Sequence, residues 1–172
     1  MRRSLLTLLA LMALAAWAGA QGTPMPLPAA VQAKLFKSNQ LLIQNLVTQG
    51  IDLANAGSPL QRADECRKTA TTLANSLGSA AEDQDPDRVA ELAGLMGQVV
   101  REGLVPNLSE AQTEIRPGDP REPKLVKVRE LATRELDELS SKIPTEGKVG
   151  TSQKVKEAIE ALQTLKASLK KQ

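Results

Sequence analysis

Ser58-Pro59-Leu60-Gln61-Arg62-Ala63-Asp64-Glu65-Cys66, running on through Leu73 to Leu77, is the stretch on which the fold turns. Ser58 has the side chain of an N-cap. Pro59 follows at the first helical position, where its missing N–H would be unpaired anyway, and Gln61 stands three residues after the cap, where it can reach back to it. Leu60, Ala63, Cys66, Ala70, Leu73, Ala74 and Leu77 then recur at helical spacing on one face. The pattern predicts a helix from 59 that fades near Gly78 into Glu82-Asp83-Gln84-Asp85.

Upstream, Val31, Leu35, Leu42, Leu46 and Leu53 keep the same spacing, and Phe36, Ile43, Val47 and Ile51 widen the stripe. A helix over about 29–55 that buries a broad face is expected, weakened at Gly50 and ended by Gly57. Few residues separate it from Pro59, so the two helices should form an antiparallel hairpin.

Downstream, Asp85-Pro86 repeats the start signal, and Val89, Leu92, Met96, Val99 and Val100 carry a third helix to about Glu102, with Gly103 as a left-handed stop. Pro106 and Arg116-Pro117-Gly118-Asp119-Pro120 mark 104–120 as a connector between subdomains, largely irregular, with a short helical piece around Leu108 to Ile115. Asp119-Pro120-Arg121-Glu122 is a further capping pattern. It opens the cleanest stripe, Leu125, Val128, Ala132, Leu136, Leu139 and Ile143, supported by Glu130–Arg134 and Glu138–Lys142 pairs. After Pro144, Gly147 and Gly150, Thr151 or Ser152 opens a last helix with Val155, Ile159, Leu162, Leu165 and Leu169 inward.

The fold class that follows is all-α, a helical bundle of about five helices in antiparallel hairpins after a cleaved signal peptide. Residues 1–20 carry that address: Arg2 and Arg3, an apolar run from Leu5 to about Ala18, and Ala18-Gly19-Ala20 as the cleavage pattern, with cleavage near Ala20/Gln21. The run is shorter than the roughly twenty residues a spanning helix needs. Pro24, Pro26 and Pro28 make 21–28 an extended spacer. The expected organisation is then 29–103 as a three-helix segment, 104–120 as the connector and 121–172 as a C-terminal hairpin.

Composition excludes much. Loss of Arg2 and Arg3 brings the 22 basic residues down to the number of acidic ones, 20, so the exported chain is neutral. Trp17 leaves with the signal peptide and Phe36 is then the only aromatic, which argues against nucleic-acid binding. Without any His the chain lacks the usual base for a nucleophile, the imidazole ligands of zinc or copper, and the Glu-x-x-His pairs of a di-iron bundle. No enzyme, no metal and no cofactor are therefore expected.

Cys66 is the sole cysteine, so an intramolecular disulfide is impossible and the thiol is either a small buried residue or an intermolecular crosslink site. Asp83, Asp85 and Asp87 alternate like calcium ligands, but Arg88 and Gly94 occupy the places of the loop's glycine and bidentate glutamate, so helix capping is the better reading. Residues 142–172 carry seven lysines against three acids, either a solvated helix end or a patch for peripheral contact with an anionic membrane. Gly147-Lys148-Val149-Gly150-Thr151 has the residue types of a phosphate loop in the wrong order.

Asn107-Leu108-Ser109-Glu110-Ala111-Gln112 resembles the Leu-Thr-x-x-Gln signature of Spy- and CpxP-type periplasmic proteins. That resemblance implies a cradle-shaped helical dimer that holds unfolded proteins or restrains a stress sensor. The layout over roughly 50–110, with Ser58-Pro59-Leu60, Arg62-Ala63, Leu73-Ala74, Asp85 to Leu92 and Val99 to Leu104, is similar to uncharacterised exported bacterial helical-hairpin proteins, some encoded near extracytoplasmic sigma and anti-sigma genes. The resulting expectation is an exported protein, periplasmic or extracellular, that works by contact with another macromolecule, with protein as partner or a second copy as homo-oligomer. A periplasmic chaperone or stress-sensing accessory is the sharper alternative, and an envelope-associated spacer the third.

Overall fold

The computed structural model describes residues 29–171, where the chain is a bundle of α-helices with no strand among the described residues. Residues 1–28, where a signal peptide and a Pro-rich spacer are expected, lie outside them. The chain divides into two compact units, residues 1–37 and 38–172. The described part of the first is the opening of helix α1 (Ala29–Asn55), where Phe36 is exposed. The second holds the rest of α1 and all that follows: α2 (Pro59–Glu82), α3 (Pro86–Gln98), a π-helical segment Val99–Leu104, α4 (Val105–Glu114), α5 (Glu122–Lys142), a single turn α6 (Gly147–Thr151), and α7 (Gln153–Lys171).

The start signals work as the residues require. Ser58 Oγ accepts the N–H of Gln61 at 3.2 Å, Gln61 Oε1 accepts the N–H of Gly57 at 3.0 Å, and Pro59 sits in the first turn of α2. Asp85 Oδ1 accepts the N–H of Arg88 at 3.1 Å and opens α3. From these starts, Leu60, Ala63, Cys66, Leu73 and Leu77 of α2, Val89, Leu92 and Met96 of α3, Leu125, Val128, Leu136 and Leu139 of α5, and Val155, Leu162 and Leu169 of α7 meet in one buried cluster. Sheltering a Leu or Val side chain from water stabilises by about 1.5–3 kcal/mol, so the aliphatic stripes are what hold the helices together.

Three local readings change. The third helix does not stop at Gly103. It widens into the π segment and passes straight into α4, because Pro106 cannot donate to the chain behind it and its ring crowds the preceding turn, a misfit that a π-bulge absorbs. The 104–120 stretch is therefore not a loose connector in its first half: Leu104, Leu108, Ala111 and Ile115 are buried in the same core. At α5 the helix begins at Glu122 with Pro123 in its first turn, while Asp119 and Glu122 secure the preceding turn by accepting the N–H groups of Arg121 and Gly118, each at 2.8 Å. On the surface of α5, Arg134 pairs with Glu138 at 3.7 Å.

The largest change concerns α1. Among the described residues of its stripe, Leu42 is buried and Leu46 and Leu53 are packed partly against the core. Leu41, Ile43, Val47 and Ile51 face solvent. Polar contacts tie α1 down as well, Gln49 Nε2 donating to Thr72 Oγ1 of α2 at 2.7 Å and Arg88 of α3 donating to Asn39 Oδ1 at 2.8 Å. A second tie joins α2 to α5: Arg67 donates to Glu135 at 2.8 Å and to Asp64 at 3.1 Å, and Thr71 donates to the other Glu135 oxygen at 2.9 Å.

Candidate functional site

Because α1 lies against α2 with few of its apolar side chains, a groove of about 410 Å3 opens between α1, α2, α3 and the π segment. Leu46 and Leu53 form one wall, Leu73 the base, and Leu95 and Val99 the other wall. Leu95 is 43% exposed at its rim. The size falls in the range of ligand and peptide clefts, and the lining is aliphatic.

Its polar groups are few. Gln98 Nε2 donates to Glu102 Oε2 at 3.1 Å along the rim, and Thr69 Oγ1 donates back to the Glu65 carbonyl at 3.0 Å. Glu102 also lies 3.6 Å from Arg101. At the floor sits Cys66, 3% exposed, against Gly103. Burial pushes the Cys66 thiol above its ordinary pKa, the Glu65 carboxylate adds to this, and Arg62 partly opposes it. A raised thiol is a poor nucleophile and a poor crosslinker. Cys66, the candidate crosslink site, is thus a buried thiol in the folded chain.

The other features singled out in the sequence serve the fold. Asn107 Oδ1 accepts Arg62 Nε at 2.7 Å while its Nδ2 donates to the Gly103 carbonyl at 2.8 Å, and Glu110 pairs with Arg62 at 3.0 Å. With Leu108 and Ala111 buried, most of the Asn107–Gln112 stretch is engaged in joining α4 to α2. Asp85 is the cap of α3, and Asp87 pairs with Lys154 at 2.9 Å, raising the Lys154 ammonium through that hydrogen bond. Lys166 pairs with Asp137, so part of the lysine excess of the last helix is matched by acids of α3 and α5. Gly147 and Gly150 make a tight turn in which a Cβ on Gly150 would strike the Thr145 backbone and lie 2.8 Å from the Pro144 carbonyl oxygen.

Among the described residues no cluster of three or more His, Cys, Asp or Glu side chains is placed to hold a metal ion, and no helix is long and apolar enough to cross a membrane. A second groove, of about 510 Å3 between the end of α5, α6 and α7, is lined by both apolar and charged groups, among them Ile143, Ile159, Lys156 and Glu160. The α1–α3 groove was not legible in the sequence. Leu46, Leu53 and Leu73 read as ordinary core positions, Leu95 falls off the expected stripe of its helix, and nothing local marks that α1 stands off from the others.

No protein-family model, curated protein or solved structure matches this chain.

Proposed function

We propose that this chain is an exported, non-catalytic helical protein that acts by binding an apolar segment of another protein. The observation that carries the reading is the aliphatic groove between α1, α2 and α3, open to solvent at Leu95 and lined by Leu46, Leu53, Leu73 and Val99. An open apolar cleft loses water favourably when a Leu- or Val-bearing helix enters it, the mode in which amphipathic helices seat in grooves. The groove's ionisable groups are Glu102 and the raised thiol of Cys66, a set with no base for the thiol, so binding fits the lining better than chemistry does.

A periplasmic chaperone or stress-sensing accessory is the narrower form of this proposal, and it rests on the groove rather than on the Spy-like stretch, whose residues are taken up by packing and by Arg62. The envelope-spacer alternative has less behind it, since Lys154 and Lys166 are paired with acids of neighbouring helices.

A photo-activated side chain placed at Leu95 and, as a control, at the exposed Val126 of α5, separates these readings in the native host. One partner caught at stoichiometric yield from position 95 and not from 126 supports a dedicated adaptor. Many unrelated partners from position 95 support a chaperone. Equal capture from both positions, or none from either, removes the groove as the functional site.

A further inference from the structure

Helix α1 is the least joined element of the fold. Among the described residues, every element from α2 onward runs its main chain closely beside another, whereas α1 comes that near to a neighbour at isolated points at most. From Ser38 onward its anchors are the buried Leu42, the half-buried Leu46 and Leu53, and two side-chain ties, Gln49 to Thr72 and Asn39 to Arg88. Both ties are easily given up. Gln49 Nε2 has the Lys68 carbonyl at 3.5 Å besides Thr72, but its Oε1 is buried without a donor, a cost that solvent removes when the helix lifts. Arg88 holds Glu91 of its own helix at 2.6 Å, so losing Asn39 does not leave the guanidinium unpaired.

We propose that Ser38–Asn55 is a hinged strap, which lifts from α2 and α3 as a unit about Ala56–Gly57 and sets how far the groove is open. The pivot does not depend on the strap's being docked: the Gly57 N–H is held at 3.0 Å by Gln61 of α2, and a Cβ at Gly57 would meet nothing nearer than 3.7 Å, so the junction is uncrowded. Leu46 and Leu53, one wall of the groove, ride on the strap, while Cys66, Leu73, Leu95 and Val99 stay with the bundle. The gap of about 410 Å3 is what remains when a helix closes on too few side chains to fill the space beneath it.

An apolar segment entering the groove supplies the missing packing, so occupancy closes the strap and departure lets it lift. Elements that open in this way are drawn from the least stable part of a fold, and a ligand that packs better under the closed form shifts the balance toward it. This regulation rests on the groove being the binding site, whereas the lifting itself is read with no partner present. Failed capture from position 95 therefore leaves the hinge standing, and an α1 that never lifts leaves the groove standing.

Native-state hydrogen exchange of the full chain isolated from its host, in low urea, tests the hinge. Amides of 42–54 are expected to exchange through one shared opening, at least about a hundredfold less protected than those at the centres of α2 and α3. Thr72→Val removes one tie and should speed that exchange about fivefold or more, while Gln49→Leu together with Thr72→Val removes the buried unpaired oxygen and should slow it below the single variant. Val128→Ala, in the core of α5 and away from the strap, should speed exchange in α2, α3 and α5 about tenfold or more and leave α1 unchanged, because it weakens the closed and the lifted forms equally. Labelling of Cys66 by a thiol reagent should follow α1 in all three variants. The strap is overturned by α1 amides as protected as those of α2, by loss of protection one residue at a time from Ser38, or by α1 exchange that Val128→Ala speeds as much as that of α5. Cys66 labelling indifferent to Thr72→Val would equally overturn it, since lifting would then not open the groove.

Discussion

Gly103, in the π segment, stands so close to Cys66 of α2 that a Cβ at position 103 would lie 2.6 Å from Sγ and 3.5 Å from the Cys66 Cβ. The absence of a side chain at 103 is what lets the segment lie on α2 at the floor of the groove. Gly103→Ala should therefore cost about 1–3 kcal/mol by overpacking, against at most about 1 kcal/mol gained from helix propensity. In a Cys66→Ala background the obstacle at Sγ is gone, and the same substitution should be neutral or stabilising. Urea unfolding of the four proteins measures the coupling, and equal costs in both backgrounds would show that the close approach is not what glycine serves.

The same burial governs the thiol. Cys66 holds its proton more tightly folded than unfolded, so its contribution to stability is present below the ordinary thiol pKa and lost as pH rises through the raised one. Labelling by a thiol reagent should be far slower in the native protein than in urea. Raising the pH above the ordinary thiol range should lower the unfolding midpoint by more in the wild type than in Cys66→Ala. Native labelling as fast as that of a free thiol would mean that the groove opens readily.

How far the sequence carried depended on whether a signal was local. The caps at Ser58 and Asp85 and the stripes of α2, α3, α5 and α7 are written in residues three or four apart, and they appear where those residues place them. The outcome at Pro106 depended on whether the preceding turn could widen, and the pairing of Gly103 with Cys66 on two helices distant in sequence. The exposure of Ile43, Val47 and Ile51 was missed for a similar reason. An apolar stripe declares that a face wants cover, without saying whether the cover comes from the same chain.

At the turn before α5, Arg121 holds the Asp119 carboxylate with its side chain at 2.8 and 3.0 Å and with its backbone N–H at 2.8 Å. The side-chain hydrogen bonds, then the backbone one, lower the Asp119 pKa to about 2. A depressed carboxyl contributes stability above its unfolded pKa and loses it as pH falls through the folded one, so this turn should hold down to about pH 3 and loosen near pH 2. Carboxyl titration by NMR should find Asp119 protonating at lower pH than an ordinary aspartate, and Arg121→Ala should bring it back toward that range. An unmoved value in Arg121→Ala would assign the effect to something other than this pair.

Gln84 and Gly147 lock the α2–α3 turn to the start of α6, and both adopt positive φ, 54° and 74°. Gln84 Oε1 accepts the N–H of Lys148 at 3.1 Å and its Nε2 donates to the Ala81 carbonyl at 3.2 Å, so the side chain bridges two loops while its own backbone sits where a side chain is disfavoured. A Cβ on Gly147 would collide with that amide oxygen. Gly147→Ala should cost about 1–2 kcal/mol from the left-handed backbone, and more from displacing Gln84. Gln84→Gly relieves strain at 84 while giving up the bridge, two effects of about 1 kcal/mol that nearly cancel. With Gln84→Gly in place, Gly147→Ala should retain its backbone cost and lose its steric part, so the double variant is expected to be more stable than the sum of the singles. Strict additivity in thermal or urea unfolding would show that the two loops are independent.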